Sequence, residues 1–160
     1  MTAPVSQHEA ATAAPARGDD EACARAWVAL TGAHARIARQ LNGALVRACG
    51  LSANDFEILL RLEHAGPQGV RLGSLNFAVR LTQPSLSRAV ARLAGRGWLS
   101  RAGAADDRRG VLVTLTPAGR EVLRQAIPVH ARTIREFLLD PLTPGELELL
   151  SAALNRIAGS

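Results

Sequence analysis

The chain has 160 residues, 48% hydrophobic and 21% charged, which suits one globular domain with its own core and excludes collagen-like or fully disordered classes. No apolar run approaches the roughly 20 residues that cross a bilayer, and residues 1–20 show no apolar stretch after a basic start, so neither a membrane span nor a signal peptide is expected. The formal net charge is +5, and all 19 basic residues are arginine.

Residues 1–19, rich in Ala, Pro and Thr, are expected to be a disordered tail. From about Asp20 to Ala48, Trp27, Leu30, His34, Ile37, Leu41 and Leu45 recur at steps of three and four, the spacing of one helix face. Gly50 is placed to end that helix. Its stripe is longer than so small a domain can cover, so a partner is expected. Ser52 followed by Asp55 predicts an N-cap, with Leu51 and Phe56 as a hydrophobic staple, for a second helix that stops at Gly66-Pro67. Leu72, Leu75 and Val79 predict a short third helix. Thr82 is placed to cap a fourth, with Pro84 tolerated in its first turn and Gly97 after its end.

The hydrophobic period then changes to two. Residues 98–101 and 111–115 read as two strands around a polar loop, 103–110. Thr116-Pro117 opens another helix, which Pro128 is expected to kink or split. Thr143-Pro144-Gly145-Glu146 is a capping box, with Leu142 and Leu147 as staple, for the last helix through Leu150, Leu154 and Ile157.

The charge is concentrated. Residues 80–109 hold seven arginines against Asp106 and Asp107, a net +5, and the remainder of the chain is neutral. A basic segment on a neutral body is the footprint of a polyanion binder. Helix, tight turn, helix and basic-tipped ribbon, in that order, describe a winged helix-turn-helix whose second helix enters the major groove. On a helical wheel Leu86, Ala89, Val90 and Leu93 fall on one side. Pro84, Ser87, Arg88, Ala91 and Gly95 fall opposite, flanked by Ser85 and Arg92. Small residues allow close approach, hydroxyls donate or accept, and arginine bonds guanine in bidentate fashion. Residues 82–97 contain no acid, which argues against an ordinary solvated face. Arginine at the ribbon tip suits the negative potential of a narrow minor groove.

The segment Asp107-Arg108-Arg109-Gly110-Val111-Leu112-Val113-Thr114-Leu115-Thr116 resembles the wing pattern of the MarR (multiple antibiotic resistance regulator) family. Leu81-Thr82-Gln83-Pro84-Ser85-Leu86-Ser87-Arg88 and Arg92-Leu93 resemble its recognition helix, Arg96-Gly97-Trp98-Leu99 the turn after it, and Thr116-Pro117-Ala118-Gly119 its next helix start. The resemblance runs from about Trp27 to the C-terminus. It implies a mainly α fold: a winged helix-turn-helix lobe with a two-stranded wing at 51–116, and dimerisation helices at 20–49 and 117–158, within one domain of residues 20–158. It implies a homodimeric, ligand-responsive repressor on double-stranded DNA, working in the cytoplasm. By position, Gln83, Ser85, Ser87 and Arg88 become major-groove readers, Arg92 and Arg96 phosphate contacts, Arg109 the minor-groove arginine beside Arg108, and Asp107 its orienting partner.

The family also implies a site for a small anionic or phenolic effector, for which Trp27, His34, Glu57 and Arg61 are the residues to test, with His130 near the expected kink at Pro128. The residues themselves also allow plainer roles: Trp27 as a core or interface aromatic, His34 as a packing histidine, Glu57 and Arg61 as an i,i+4 surface pair. Cys23 near a helix start resembles the peroxide-sensing branch, but that branch surrounds its thiol with tyrosines and this chain has none. No metal-ligand spacing and no cofactor fingerprint are present. The competing classes are an enzyme, for which no catalytic motif speaks, a protein-only winged helix, and an architectural DNA binder, which would spread its charge or carry apolar wedges.

Overall fold

The computed structural model describes residues 17–79, 81–104 and 107–159, and of 17, 18, 76–78, 104 and 107–110 the backbone alone. The tail at 1–16 therefore lies outside the described residues. Two units divide the chain at Ala35/Arg36. In the first, α1 (Arg17–Cys49) begins, three residues earlier than the sequence pattern implies. No residue from Asp19 to Ala35 is buried, because a single helix has no second layer in its own unit against which to bury an apolar face.

The second unit carries the rest of α1, then α2 (Ala53–Ala65), a 3-10 turn at Gly66–Gln68, β1 (Val70–Arg71), α3 (Leu72–Val79), α4 (Gln83–Gly95), β2 (Leu99–Ala104), β3 (Asp107–Leu115), α5 (Pro117–Ile134) and α6 (Pro144–Ala158). Its core joins Leu45 and Leu51 to Phe56, Ile58, Leu59 and Leu62 of α2, Leu75 of α3, the buried face of α4, Val113 of β3 and Leu123 of α5. Leu86, Ala89, Val90 and Leu93 are the buried residues of α4, the four that the wheel places inward.

The caps follow the sequence closely. Ser52 Oγ accepts from Asp55 N at 3.1 Å while Asp55 Oδ2 accepts from Ser52 N at 3.0 Å. Thr143 and Glu146 repeat that reciprocal box at α6. Thr82 differs. It holds the N-cap backbone geometry, but its hydroxyl donates to Ser85 Oγ at 2.9 Å and caps no backbone N–H. An N-cap side chain bonds the N–H of the second or third helical residue, and Pro84 supplies none.

Three expectations need correction. The sheet has three strands, in antiparallel order β1-β3-β2, not two. Val70 pairs with Val113 and Arg71 with Leu112, a strand too short to show a period in sequence. Secondly, the ribbon is longer than the two short strands imply: its ladder runs from Leu99↔Leu115 to Ala104↔Asp107, with a register irregularity between Gly103 and Ala104. Residues 103–110 read as a polar loop, but 103, 104 and 107–110 belong to β2 and β3, because a backbone ladder forms whatever the side chains; 105 and 106 lie outside the described residues. Thirdly, α5 is not split at Pro128; it continues to Ile134, and the irregular turn, a π turn, comes at Arg135–Leu139. Pro128 and Arg124 are both exposed, so the carbonyl that proline leaves unpaired meets water. Leu123 and Ala126 on one side and Thr133 on the other are buried and hold the helix in place.

Several contacts attach α5 to the winged lobe, Arg120 pairing with Glu63 of α2 at 3.6 Å among them. Thr116 Oγ1 donates to Gly97 O at 2.7 Å and accepts from Gly119 N at 3.0 Å, and Thr116 N donates to Trp98 O at 3.1 Å. A Cβ on Gly119 would lie 2.1 Å from Trp98 O and 2.7 Å from Leu115 Cδ1. Further along, the His130 ring stacks on Phe56 of α2, with centroids 4.6 Å apart and planes 13° apart. Burial holds the His130 pKa below its ordinary 6.5, against a smaller opposite pull from Glu57.

Gly119→Ala must push backbone against backbone, so it should cost about 1–3 kcal/mol or more of stability, read as a lowered urea midpoint. His130 supplies a second test. Its folded pKa is depressed, so the unfolded chain takes up the proton first. The stability that neutral His130 contributes is complete above pH 6.5 and is lost as pH falls through the lower, folded value. Denaturation of the wild type across that window should therefore lose ground relative to His130→Phe, which keeps the stack and cannot titrate. Parallel curves would remove His130 from the pH response.

Candidate nucleic-acid interface

The geometry of α4 follows from its sequence. Thr82 and Pro84 start it, the Arg96 backbone caps it, and Gly97 at φ +75° turns the chain into β2. With one face buried, the other must look outward. Gln83, Pro84, Ser87, Arg88, Ala91, Arg92 and Gly95 are exposed and Ser85 is half-buried. The outward surface of α4 is thus made of hydroxyl, amide and guanidinium groups over small side chains, without a carboxylate of its own.

Its arginines are held differently. Arg88 Nη2 donates to Ser85 Oγ at 3.2 Å, one turn back along the helix. Arg92 Nη2 donates to Asp55 Oδ1 of α2. Asp55 is only 4% exposed, and its other oxygen belongs to the capping box, so a single carboxylate caps α2 and ties it to α4. The sequence shows Asp55 as a capping acid; its bond to a residue 37 positions away carries no sequence signal. Arg96 Nη1 donates to Gly50 O at 2.8 Å, and its guanidinium lies over the Trp98 ring at 4.7 Å from the centroid. That arrangement satisfies a carbonyl at the end of α1 and adds a cation–π contact.

Beyond Gly103 the ribbon carries Asp107, Arg108 and Arg109 on the first residues of β3. Their side chains, with Arg80 and Asp106, lie outside what the structure describes.

The four residues expected around an effector fall in different places. Trp27 (66% exposed) and His34 (exposed) belong to the first unit, so within this chain neither the core role for Trp27 nor the packing role for His34 holds. In the second unit Arg61 Nε donates to Glu57 Oε1 at 2.8 Å, the i,i+4 surface pair. Cys23 is exposed and Cys49 half-buried, both as free thiols. Among the described residues no three His, Cys, Asp or Glu side chains gather as a metal site, and no helix is long and apolar enough to cross a membrane.

Comparison with known proteins places this arrangement. The MarR family profile matches residues 51–111, the stretch from the start of α2 into β3. The regulator PecS of Dickeya dadantii is 31% identical over 108 residues, which are 67% of this chain and 64% of PecS. Sco3205, a MarR family transcriptional regulator of Streptomyces coelicolor solved in complex with DNA, superposes with a TM-score of 0.77 at 30% identity, over 83% of this chain and 86% of that one. Bordetella bronchiseptica BpsR, whose DNA binding is regulated by 6-hydroxynicotinic acid, gives a TM-score of 0.74 at 25% identity, over 84% and 98%. With its winged lobe matched by profile, sequence and backbone alike, this chain belongs to the MarR family of winged helix-turn-helix transcriptional regulators.

Proposed function

We propose that the protein is a sequence-specific DNA-binding regulator, a ligand-responsive repressor that binds a pseudo-palindromic operator as a homodimer. The observation that carries the DNA-binding part is the outward face of α4: donors, small residues and no acid, fixed by four buried residues on the other side. In this reading Gln83, Ser85, Ser87 and Arg88 meet base edges. Arg92 and Arg96, each already held on one side by a protein acceptor, offer the remaining edges of pre-set donor forks to phosphates. Arg109 enters the minor groove, with Asp107 orienting it and Arg108 beside it. An architectural binder would need apolar wedges near the DNA. Among the described residues, none of the exposed large apolar side chains lies between 51 and 116.

Those side chains support the dimer instead. Trp27, Val28, Leu30 and Val46 fall in 20–49, and Ile127, Leu149, Leu154 and Ile157 in 117–158. Leaving so much apolar surface in water is unfavourable by about 25 cal/mol per Å², and a second copy is the partner that every molecule of this chain has available. Ligand response rests on the kinship with BpsR. The proposed effector is a small anionic or phenolic compound. An anion using Arg61 would have to displace Glu57, which now neutralises it.

Sedimentation at low micromolar concentration should show twice the 16.9 kDa chain mass; a single species at 16.9 kDa would remove the dimer. Footprints should show two half-sites about 10–10.5 bp apart, centre to centre. Arg88→Ala should cost about 1–3 kcal/mol on the selected operator and relax preference at one base pair per half-site. Arg109→Ala should weaken operator and scrambled duplex more evenly and flatten the salt dependence. Equal loss on both duplexes for Arg88→Ala would make Arg88 a phosphate clamp.

A further inference from the structure

The start of α2 and the edge of α4 enclose a cleft of about 230 Å³, lined by Ser52, Asn54, Ser85, Arg88 and Arg92 together with two apolar residues. We infer that this cleft seats one phosphodiester of a DNA strand, with Arg92 as its cation, Asn54 and Ser85 as neutral donors, which moves Ser85 from the base edges to the backbone, and Asp55 as the residue that positions Arg92. The inference rests on the DNA-binding reading above and adds residues of α2 to it.

Size and lining set the ligand class. Pockets for drug-sized molecules run to about 300–1,000 Å³ and are mostly apolar; this one is smaller and its polar groups predominate. Every polar group that faces it can donate. Ser85 Oγ accepts from Thr82 Oγ1 at 2.9 Å and from Arg88 Nη2 at 3.2 Å. Both lone pairs are then used, and the hydroxyl proton is left to donate. The Asn54 amide is exposed and makes no hydrogen bond to the described residues, so its two N–H groups are available. Arg92 is half exposed, with Nη2 on Asp55 and the other N–H groups of its planar fork unclaimed by the described residues. A set of donors selects a ligand that only accepts, and the oxygens of a phosphodiester do so.

Asp55 determines where the fork points. Its carboxylate is buried and fixed at both oxygens, one by Ser52 N and one by Arg92. Without it the long arginine side chain would be free to sample many rotamers before meeting a phosphate, and ordering it would cost entropy. The pair is neutral, so the surplus positive charge at the cleft comes from Arg88. Because Ser85 and Arg88 also belong to the outward face of α4, a duplex docked on that face brings a strand to the cleft.

The test is fluorescence anisotropy with a labelled random-sequence duplex across a salt series, for the full chain and for Asn54→Ala, Arg92→Ala and Asp55→Asn. Asn54→Ala should weaken binding about three- to tenfold at every salt concentration without changing the slope, as for one lost hydrogen bond. Arg92→Ala should reduce the log–log salt slope by about 0.9 per cleft occupied. Asp55→Asn removes a negative charge, so simple Coulomb attraction predicts tighter binding; a positioning role predicts weaker binding. Asn54 is exposed and makes no hydrogen bond that its loss would break, so its result stands even where the other two variants unfold. Wild-type affinity for Asn54→Ala, or tighter binding by Asp55→Asn, overturns the inference while leaving the DNA-binding reading intact. That reading fails only where the wild type shows no salt-dependent binding at all. Binding of inorganic phosphate alone to the wild type, lost in Asn54→Ala while duplex affinity stays unchanged, would assign the cleft to free phosphate and overturn the diester.

Discussion

The winged lobe depends on the burial of four side chains. Leu86, Ala89, Val90 and Leu93 fix the rotation of α4 about its own axis, and every statement about its outward face follows from that rotation. A helix of 13 residues has little stability alone in water. Packing against α3 and β2 supplies both its stability and its aim. The hydrophobic core and the polar face are therefore one constraint seen from two sides: any substitution that loosens the stripe also misdirects Ser87 and Arg88.

Polar contacts then fix what burial leaves free. Burial resists rotation of α4 but allows it to slide along its axis. Asp55 holds its middle through Arg92, and Arg96 holds its end to Gly50. Thr116 and Gly119 lock the turn that follows, against Gly97 and Trp98. Each of these contacts joins α4 or its turn to a different neighbour, α2, the end of α1 or the start of α5. A shift in any of the three would be felt at the outward face through a charged or backbone hydrogen bond, the kind that costs most to break when buried. The His130–Phe56 stack adds a further link between α5 and α2.

Much of this was legible in the sequence because it is local. The boxes at Ser52–Asp55 and Thr143–Glu146, the stop at Gly50 and the inward set of α4 are set by residues within four positions of one another. What the sequence concealed was non-local or short. β1 is two residues, below any periodicity, and exists because β3 offers it an edge. The bond from Asp55 to Arg92 crosses 37 positions. The split at Pro128 does not occur because propensity weighs a residue alone, whereas buried neighbours on both sides decide whether the helix continues. In the interface, the residue types of the α4 face were readable from the wheel. The α2 residues beside it, Asn54 and Asp55, were visible only as parts of a cap. His34 lies on a stripe that this chain alone leaves exposed, because a stripe on one helix face says that burial is sought, not which chain provides it.

The three-stranded sheet divides the ribbon into two kinds of backbone. At Leu112 and Val113, β3 is flanked on both sides, by β1 and by β2. Toward Asp107 it has β2 alone, beyond a register irregularity, and a two-stranded ribbon is marginal by itself. Amide protons near Val113 should exchange with solvent only when the whole lobe opens, and those toward the tip through local fraying that leaves the core intact. The ribbon is thus anchored at its base and held by a single neighbour toward Asp107, so its outer rungs can open without transmitting strain to α4.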